Sequence, residues 1–148
     1  MKIILFILLV LFGITSRAQS EYSKYIVPDS AQHKFYVKHK DGGDAKIYYL
    51  GVIRKQNGDT SYFVFAVFKR VQAAIVMHGH SNVIFLDKKY KEIKDYDVTV
   101  PENLPYMLKG HYLYFKYQDE ATNKKKIFKF QIPGKLSEII CYSPTECT

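Results

Sequence analysis

The stretch KIYYLGVIRKQNGDTSYFVFAVFK, residues 46–69, decides what kind of chain this is. Two apolar runs flank QNGD, and Asn57-Gly58 tolerates the positive φ angles of a tight reversal, so the stretch reads as a β-hairpin. Its second arm, YFVFAVF at 62–68, is apolar on both faces. Alternation assigns no inside to such a strand. It needs cover on both sides, from a second layer, a helix or a partner chain.

The same grammar extends outward. KFYVKH (34–39) ends at DGGD; VIFLD (83–87) and EIKDYDV (92–98) flank a lysine-rich turn at 88–91; HYLYFKY (111–117) and KKIFKFQI (125–132) flank QDEATN. In the last pair the faces separate. Leu113, Phe115 and Tyr117 alternate with Tyr112, Tyr114 and Lys116, and Phe128, Phe130 and Ile132 with Ile127, Lys129 and Gln131. One face is to be buried and the other wet. The expected fold is all-β: an antiparallel meander of about seven or eight strands closing as a small barrel or a two-sheet sandwich, with little helix. Short helices are expected only around 28–32 and 71–77. VPENLPYMLKG (100–110) reads as one long irregular connection, because Pro101 and Pro105 lack the N–H a ladder needs.

The N-terminus, MKIILFILLVLFGITSRA, has Lys2 before an apolar run from Ile3 to Phe12. The run is too short to span a bilayer, which takes roughly 20 residues, and small residues at Ser16 and Ala18 suit signal-peptide cleavage after Ala18. Residues 1–18 are therefore expected to be a cleaved leader and 19–148 a single β-rich domain, secreted or periplasmic, with no membrane span in the mature chain. Cys141 and Cys147, in CYSPTEC, are the two cysteines of the sequence. Oxidising surroundings and the Ser143-Pro144 turn predict a disulfide that pins a C-terminal tail.

The formal net charge is +8. Beyond the leader only Arg54 and Arg70 are arginine, whereas phosphate and base recognition favours the bidentate guanidinium. With export, this argues against nucleic acid and for a lysine-coated surface.

Candidate sites are few. In VMHGHSNV (76–83), His78 and His80 would share a face of a continuous strand, and paired imidazoles can hold zinc or copper. A third ligand is not evident, and Gly79-His80-Ser81-Asn82 reads more simply as a turn between AAIVM and VIFL. Gly79-His80-Ser81 also starts like a nucleophile elbow, but Val83 stands at the second glycine position and no helix pattern follows. Asp95 and Asp97 share a strand face and read as solvated aspartates.

The aromatic content remains: thirteen tyrosines and ten phenylalanines. Tyr48, Tyr112 and Tyr114, flanked by Lys116 and Lys129, form the candidate ligand-binding surface, set against ordinary cross-strand pairing. The chain is thus expected to be a non-enzymatic exported domain, without a cofactor, that binds a protein partner, a glycan or an apolar small molecule through a Tyr-rich sheet face. The alternatives are a small metal-dependent or hydrolytic enzyme using His78 and His80, or a structural, homo-oligomeric subunit of an envelope assembly.

Overall fold

The computed structural model describes residues 19–28, 32–73 and 75–148. The leader expected at 1–18 and most of the short helix expected around 28–32 lie outside the described residues. A 3-10 helix at Glu21–Tyr25, capped by the Ser20 side chain, precedes eight strands: β1 (His33–Lys38), β2 (Asp44–Arg54), β3 (Thr60–Ala73), β4 (Val76–Leu86), β5 (Glu92–Asp97), β6 (Met107–Lys109), β7 (Tyr112–Asp119) and β8 (Lys124–Gln131). They form two antiparallel sheets, β1-β2-β3-β4-β5 and β6-β7-β8. The two-sheet sandwich is realised and the barrel is not. Between β5 and β6 the chain leaves one sheet for the other through a 3-10 helix at Pro101–Asn103 and then Pro105, and no ladder joins the two strands. The connection expected over 100–110 is thus less irregular than its prolines imply, since it also holds β6.

The hairpins share one turn chemistry. In the first, His39 N–H donates to Gly43 O, and in the second Lys55 N–H donates to Asp59 O, with Gly42 and Gly58 taking the positive φ (88° and 85°). These are three-residue loops, a type I turn followed by a left-handed residue. At Asn57-Gly58 only the glycine is left-handed; Asn57 instead accepts from Asp59 N–H through its side chain. The third copy, after β4, puts Tyr90 in the left-handed place (φ 61°). Asp87 there accepts from Lys89 N–H and Lys91 N–H, and the Tyr90 ring packs 5.4 Å from that of Phe63. Local hydrogen bonds and a ring contact offset what a glycine would have avoided.

The doubly apolar arm is the centre of the larger sheet. Val64, Phe65, Ala66 and Val67 are all buried. Val64 and Ala66 face the smaller sheet, in a core with Leu50, Ile53, Val83, Phe85, Tyr96 and Val98 against Leu108, Leu113, Phe115 and Ile132. Phe65 and Val67 face the other way, with Ala45, Ile47, Tyr49, Ile84 and Leu86, and here Tyr22, Tyr25, Ile26 and Val27 of the N-terminal segment supply the cover. The Tyr22 and Phe65 rings lie 6.0 Å apart. A bulge between Tyr49 and Gly51, with Gly51 at φ 132°, inserts one residue into β2, so Leu50 and Ile53 both reach the inter-sheet core despite their odd spacing.

Two sequence expectations fail in the same place. The described residues of 71–77, expected to be helical, continue β3 to Ala73 and open β4 at Val76. The Gly79–Asn82 cluster, expected to be a turn, lies inside β4 paired with Arg70, Lys69, Phe68 and Val67. Growth of the ladder out of the buried centre outweighs local turn preference. Gly79 serves another end. A Cβ there would meet the Phe68 ring at 3.0 Å, so the glycine leaves that ring room to lie across the neighbouring strand.

The C-terminal segment closes the sandwich. Ile132, Leu136, Ile140 and Tyr142 pack on the inter-sheet core, and the Tyr96 hydroxyl donates to Ser137 O at 2.6 Å. Cys141 and Cys147 are disulfide-bonded, and Ile140 and Thr148 exchange both backbone hydrogen bonds beside them. The bridge holds the fully buried Ile140 in place.

Removing the bridge as a Cys141→Ser, Cys147→Ser double variant is expected to cost about 2 kcal/mol, the loop-closure entropy of so short a ring, read by urea unfolding. Phe115→Ala should cost about 3–5 kcal/mol, whereas Ile127→Ala, on the opposite face of the same sheet, should stay within about 0.5 kcal/mol. Comparable losses at the two positions would refute this assignment of faces.

Candidate functional site

The two sheets differ in length. β2, β3 and β4 have 11, 14 and 11 residues, against 8 in β7 and β8. The smaller sheet covers the larger as far as the row of Tyr48, Ala66 and Val83. The next row, Lys46, Phe68 and Ser81, runs out from under it. The chain crossing between sheets bends over this margin. The result is an open groove of about 460 Å³, floored by Lys46, Tyr48 and Phe68 and walled by Pro101, Glu102, Leu104, Pro105 and Tyr106.

Two of its rings carry ammonium groups. Lys34, opposite Tyr48 in the β1–β2 ladder, holds Nζ 5.1 Å from the Tyr48 ring centre, and Lys116 holds Nζ 4.9 Å from that of Tyr106. Each pair costs little desolvation at an exposed site and fixes a flexible cation against a flat apolar surface. Glu102 and Lys116 continue into a second depression of about 310 Å³, bounded by Tyr117, Gln118 and Lys125. Beyond Phe68 the floor ends in an ion pair: Arg70 Nε donates to Asp44 at 2.8 Å, its terminal nitrogen donates to the other carboxylate oxygen, and the Tyr36 hydroxyl donates at 3.0 Å. Asp44 is only 7% exposed. The Arg70 hydrogen bonds, aided by that of Tyr36, hold its carboxyl down at about 2, against the burial that opposes ionisation.

The residues singled out in the sequence divide. Tyr48 lines the groove, and Lys116 guards its far side through Tyr106. Tyr112 and Tyr114 lie on the outer face of the smaller sheet, turned from the larger one. They align there with Lys109 and Met107 on β6 and with Gln131 and Lys129 on β8. Lys129 does flank them, with Nζ 3.7 Å from the Tyr112 ring centre. The four residues therefore occupy two surfaces rather than one. Phe68, Lys46 and Tyr106 escaped the sequence reading. The available signal was the pair Pro101 and Pro105, whose exclusion from any ladder sends that segment across a sheet face.

His78 and His80 are exposed on one side of β4, as a continuous strand requires, so the turn expected to part them is absent. Their cross-strand partners are Val71 and Lys69, and an ammonium opposite His80 disfavours a dication. No group of three or more His, Cys, Asp or Glu side chains among the described residues is placed to hold a metal ion. Ser81 is fully buried within β4, where no substrate reaches it. Asp95 accepts from the Asn82 side chain at 2.7 Å, and Asp97 accepts from Thr99 N–H at 2.8 Å in the turn after β5. Burial raises the Asp95 pKa, with Asp97 adding to the rise. Both carboxylates thus have structural employment.

The Asp44 carboxyl ionises more readily folded than unfolded, so its contribution to stability is full above about pH 5, shrinks as the pH drops below about 4 and is lost as the pH falls through about 2. The difference in stability between wild type and Asp44→Asn, measured by chemical unfolding, is expected to shrink across that interval and to be constant above it. A difference that stays the same down to pH 2 would mean that the ion pair is not formed in solution.

No family model, no curated protein and no solved structure matches this chain.

Proposed function

We propose that this is an exported, non-enzymatic β-sandwich that binds an extended acidic glycan along the groove of Tyr48, Phe68 and Tyr106. The observation carrying this reading is the pairing of aromatic faces with ammonium groups on an open floor: Lys34 over Tyr48, Lys116 over Tyr106, and Lys46 between Tyr48 and Phe68 in the lining. Ring faces offer a sugar ring a flat apolar surface, and lysines match its carboxylate or sulfate. The groove is open along its length. A small apolar ligand favours an enclosed pocket burying most of its surface, whereas a chain lying in a trough needs only one side covered. The disulfide supports export, since such bonds persist in oxidising compartments. Among the described residues no helix is long and apolar enough to cross a membrane. The envelope-subunit reading drew on the doubly apolar strand, and both faces of that strand are covered from within the chain.

Titration calorimetry against a panel of neutral and acidic oligosaccharides tests the proposal. An acidic member is expected to bind, with affinity falling as salt rises. Phe68→Ala and Tyr106→Ser should each weaken it about tenfold, the scale of one lost ring contact, while Tyr112→Ser with Tyr114→Ser leaves it within about twofold. Loss of binding in the latter variant alone would move the site to the outer face, and absence of binding by every acidic member would overturn the reading.

A further inference from the structure

The larger sheet is covered unevenly on its second face as well. There the N-terminal 3-10 helix lies over the rows of Phe65 and of Phe35, with the Tyr22 ring 6.0 Å from that of Phe65 and the Tyr25 ring 5.0 Å from that of Phe35. The next row outward is Val37, Ala45 and Lys69, aligned across β1, β2 and β3. Over it helix and sheet draw apart and leave a hollow of about 200 Å³. Val37, Ala45 and Ile47 form an apolar floor, and Tyr22 and Tyr25 line the helix side. Ala45, with the smallest side chain of its row, leaves the depth.

The outer end of the hollow is cationic and unsatisfied. His39, two residues past Val37, lines it, and its Nε2 is buried with no hydrogen-bond partner among the described residues. A buried polar atom left unpaired is costly, and a partner supplied to it is favourable. Lys69 lines the same end and makes no ion pair among the described residues. Lys24, with Nζ 5.0 Å from the Tyr25 ring centre, adds a second ammonium on the β1 side. The acidic residue of the lining, Glu21, stands toward β5: burial first, then Asp95 and Glu21, raise the pKa of Glu92 there. Charge is thus divided across the hollow, positive beside β1 and the end of β3, negative toward β5.

We propose that this hollow binds a small carboxylic acid with an apolar body. The carboxylate lies against Lys69 and His39, and the body rests on Val37, Ala45 and Ile47. The ammonium supplies charge and the imidazole N–H supplies direction, brought to the ligand by rotation of a ring that already lines the space; hydrogen bonds to an ionised group are the strong ones. The volume equals about seven waters at liquid density, room for a molecule of about ten non-hydrogen atoms. A polymer is too large for it. The site lies on the opposite face of the larger sheet from the groove and does not rest on the glycan reading.

Amide NMR titration of the full domain with hydrocinnamate, its neutral amide and acetate tests the proposal. Hydrocinnamate is expected to move the signals of Tyr25, His39 and Ala45 with a Kd of about 0.1–1 mM, the range open to so small a ligand. The amide, which lacks the charge, and acetate, which lacks the body, should each bind at least about tenfold more weakly. Lys69→Met and His39→Phe should each weaken hydrocinnamate about five- to tenfold, and Ala45→Leu, which fills the floor, should abolish its binding. Phe68→Ala, on the other face, should leave it within about twofold. The same spectra verify that each variant is folded, and Lys69→Met, at the rim, decides the matter if Ala45→Leu is not. Absence of shifts at these residues up to about 10 mM, a Kd ten times above that range, would overturn the proposal. So would equal binding of acid and amide, equal binding of hydrocinnamate and acetate, or shifts confined to Tyr48 and Tyr106 in the groove.

Discussion

The structure depends on a strand that has no outside. Residues 62–68 place Val64 and Ala66 on one face of β3 and Phe65 and Val67 on the other, and water is unfavourable for both. Full burial of each large side chain contributes about 1.5–3 kcal/mol, so leaving either face uncovered would cost much of the stability of a domain this size. A single sheet cannot meet that demand. The chain answers with two unequal covers: a second sheet with the C-terminal segment on one side, and the aromatic residues Tyr22 and Tyr25 with Ile26 and Val27 on the other. The N-terminal segment is a third layer in miniature, capped by Ser20 and tied at its start to the turn after β4 through Ser20 N–H and Tyr90 O.

The inequality of the covers generates the surface features. Because the smaller sheet is shorter, it leaves a margin of the larger one facing solvent, and the crossing segment with Pro101 and Pro105 turns that margin into a groove. Phe68 illustrates how tightly the parts are coupled. It is held flat against β4 because Gly79 has no side chain, and it is half-buried rather than enclosed because the second sheet has already ended. The same surplus of length carries β3 and β4 past the last paired residues of β2 and β5 as a two-stranded ribbon. Floor and ribbon are successive stretches of one pair of strands, separated by the Asp44–Arg70 ion pair.

Much of the architecture was legible in the sequence where pattern and burial agree. The alternation of Leu113 and Phe115 with Tyr112 and Tyr114 read correctly because one face of that sheet meets water. Asn57-Gly58 marked a reversal, although only the glycine adopts the left-handed conformation. Legibility failed where tertiary packing overrides local preference. Gly79-His80-Ser81-Asn82 has turn chemistry, yet each residue is drawn into the ladder by a partner on β3. The bulge at Leu50 reverses the parity of β2, which simple alternation cannot register. The candidate site was half visible: Tyr48 and Lys116 carried a signal, but Phe68 and Tyr106 acquire their meaning from which strand ends first, and that is a property of the assembled sheets.

One feature of the sheets bears on how the protein behaves in quantity. An unpartnered edge strand is an invitation to polymerise. β8 forms one border of the smaller sheet and reads KKKIFKFQ; β1 borders the larger one and carries Lys34 and Lys38. Repeated ammonium groups along these borders repel a second copy before its backbone can add to the ladder. The lysine excess, featureless when counted over the whole sequence, thus works as a guard against fibre growth in a chain rich in aromatic β-structure.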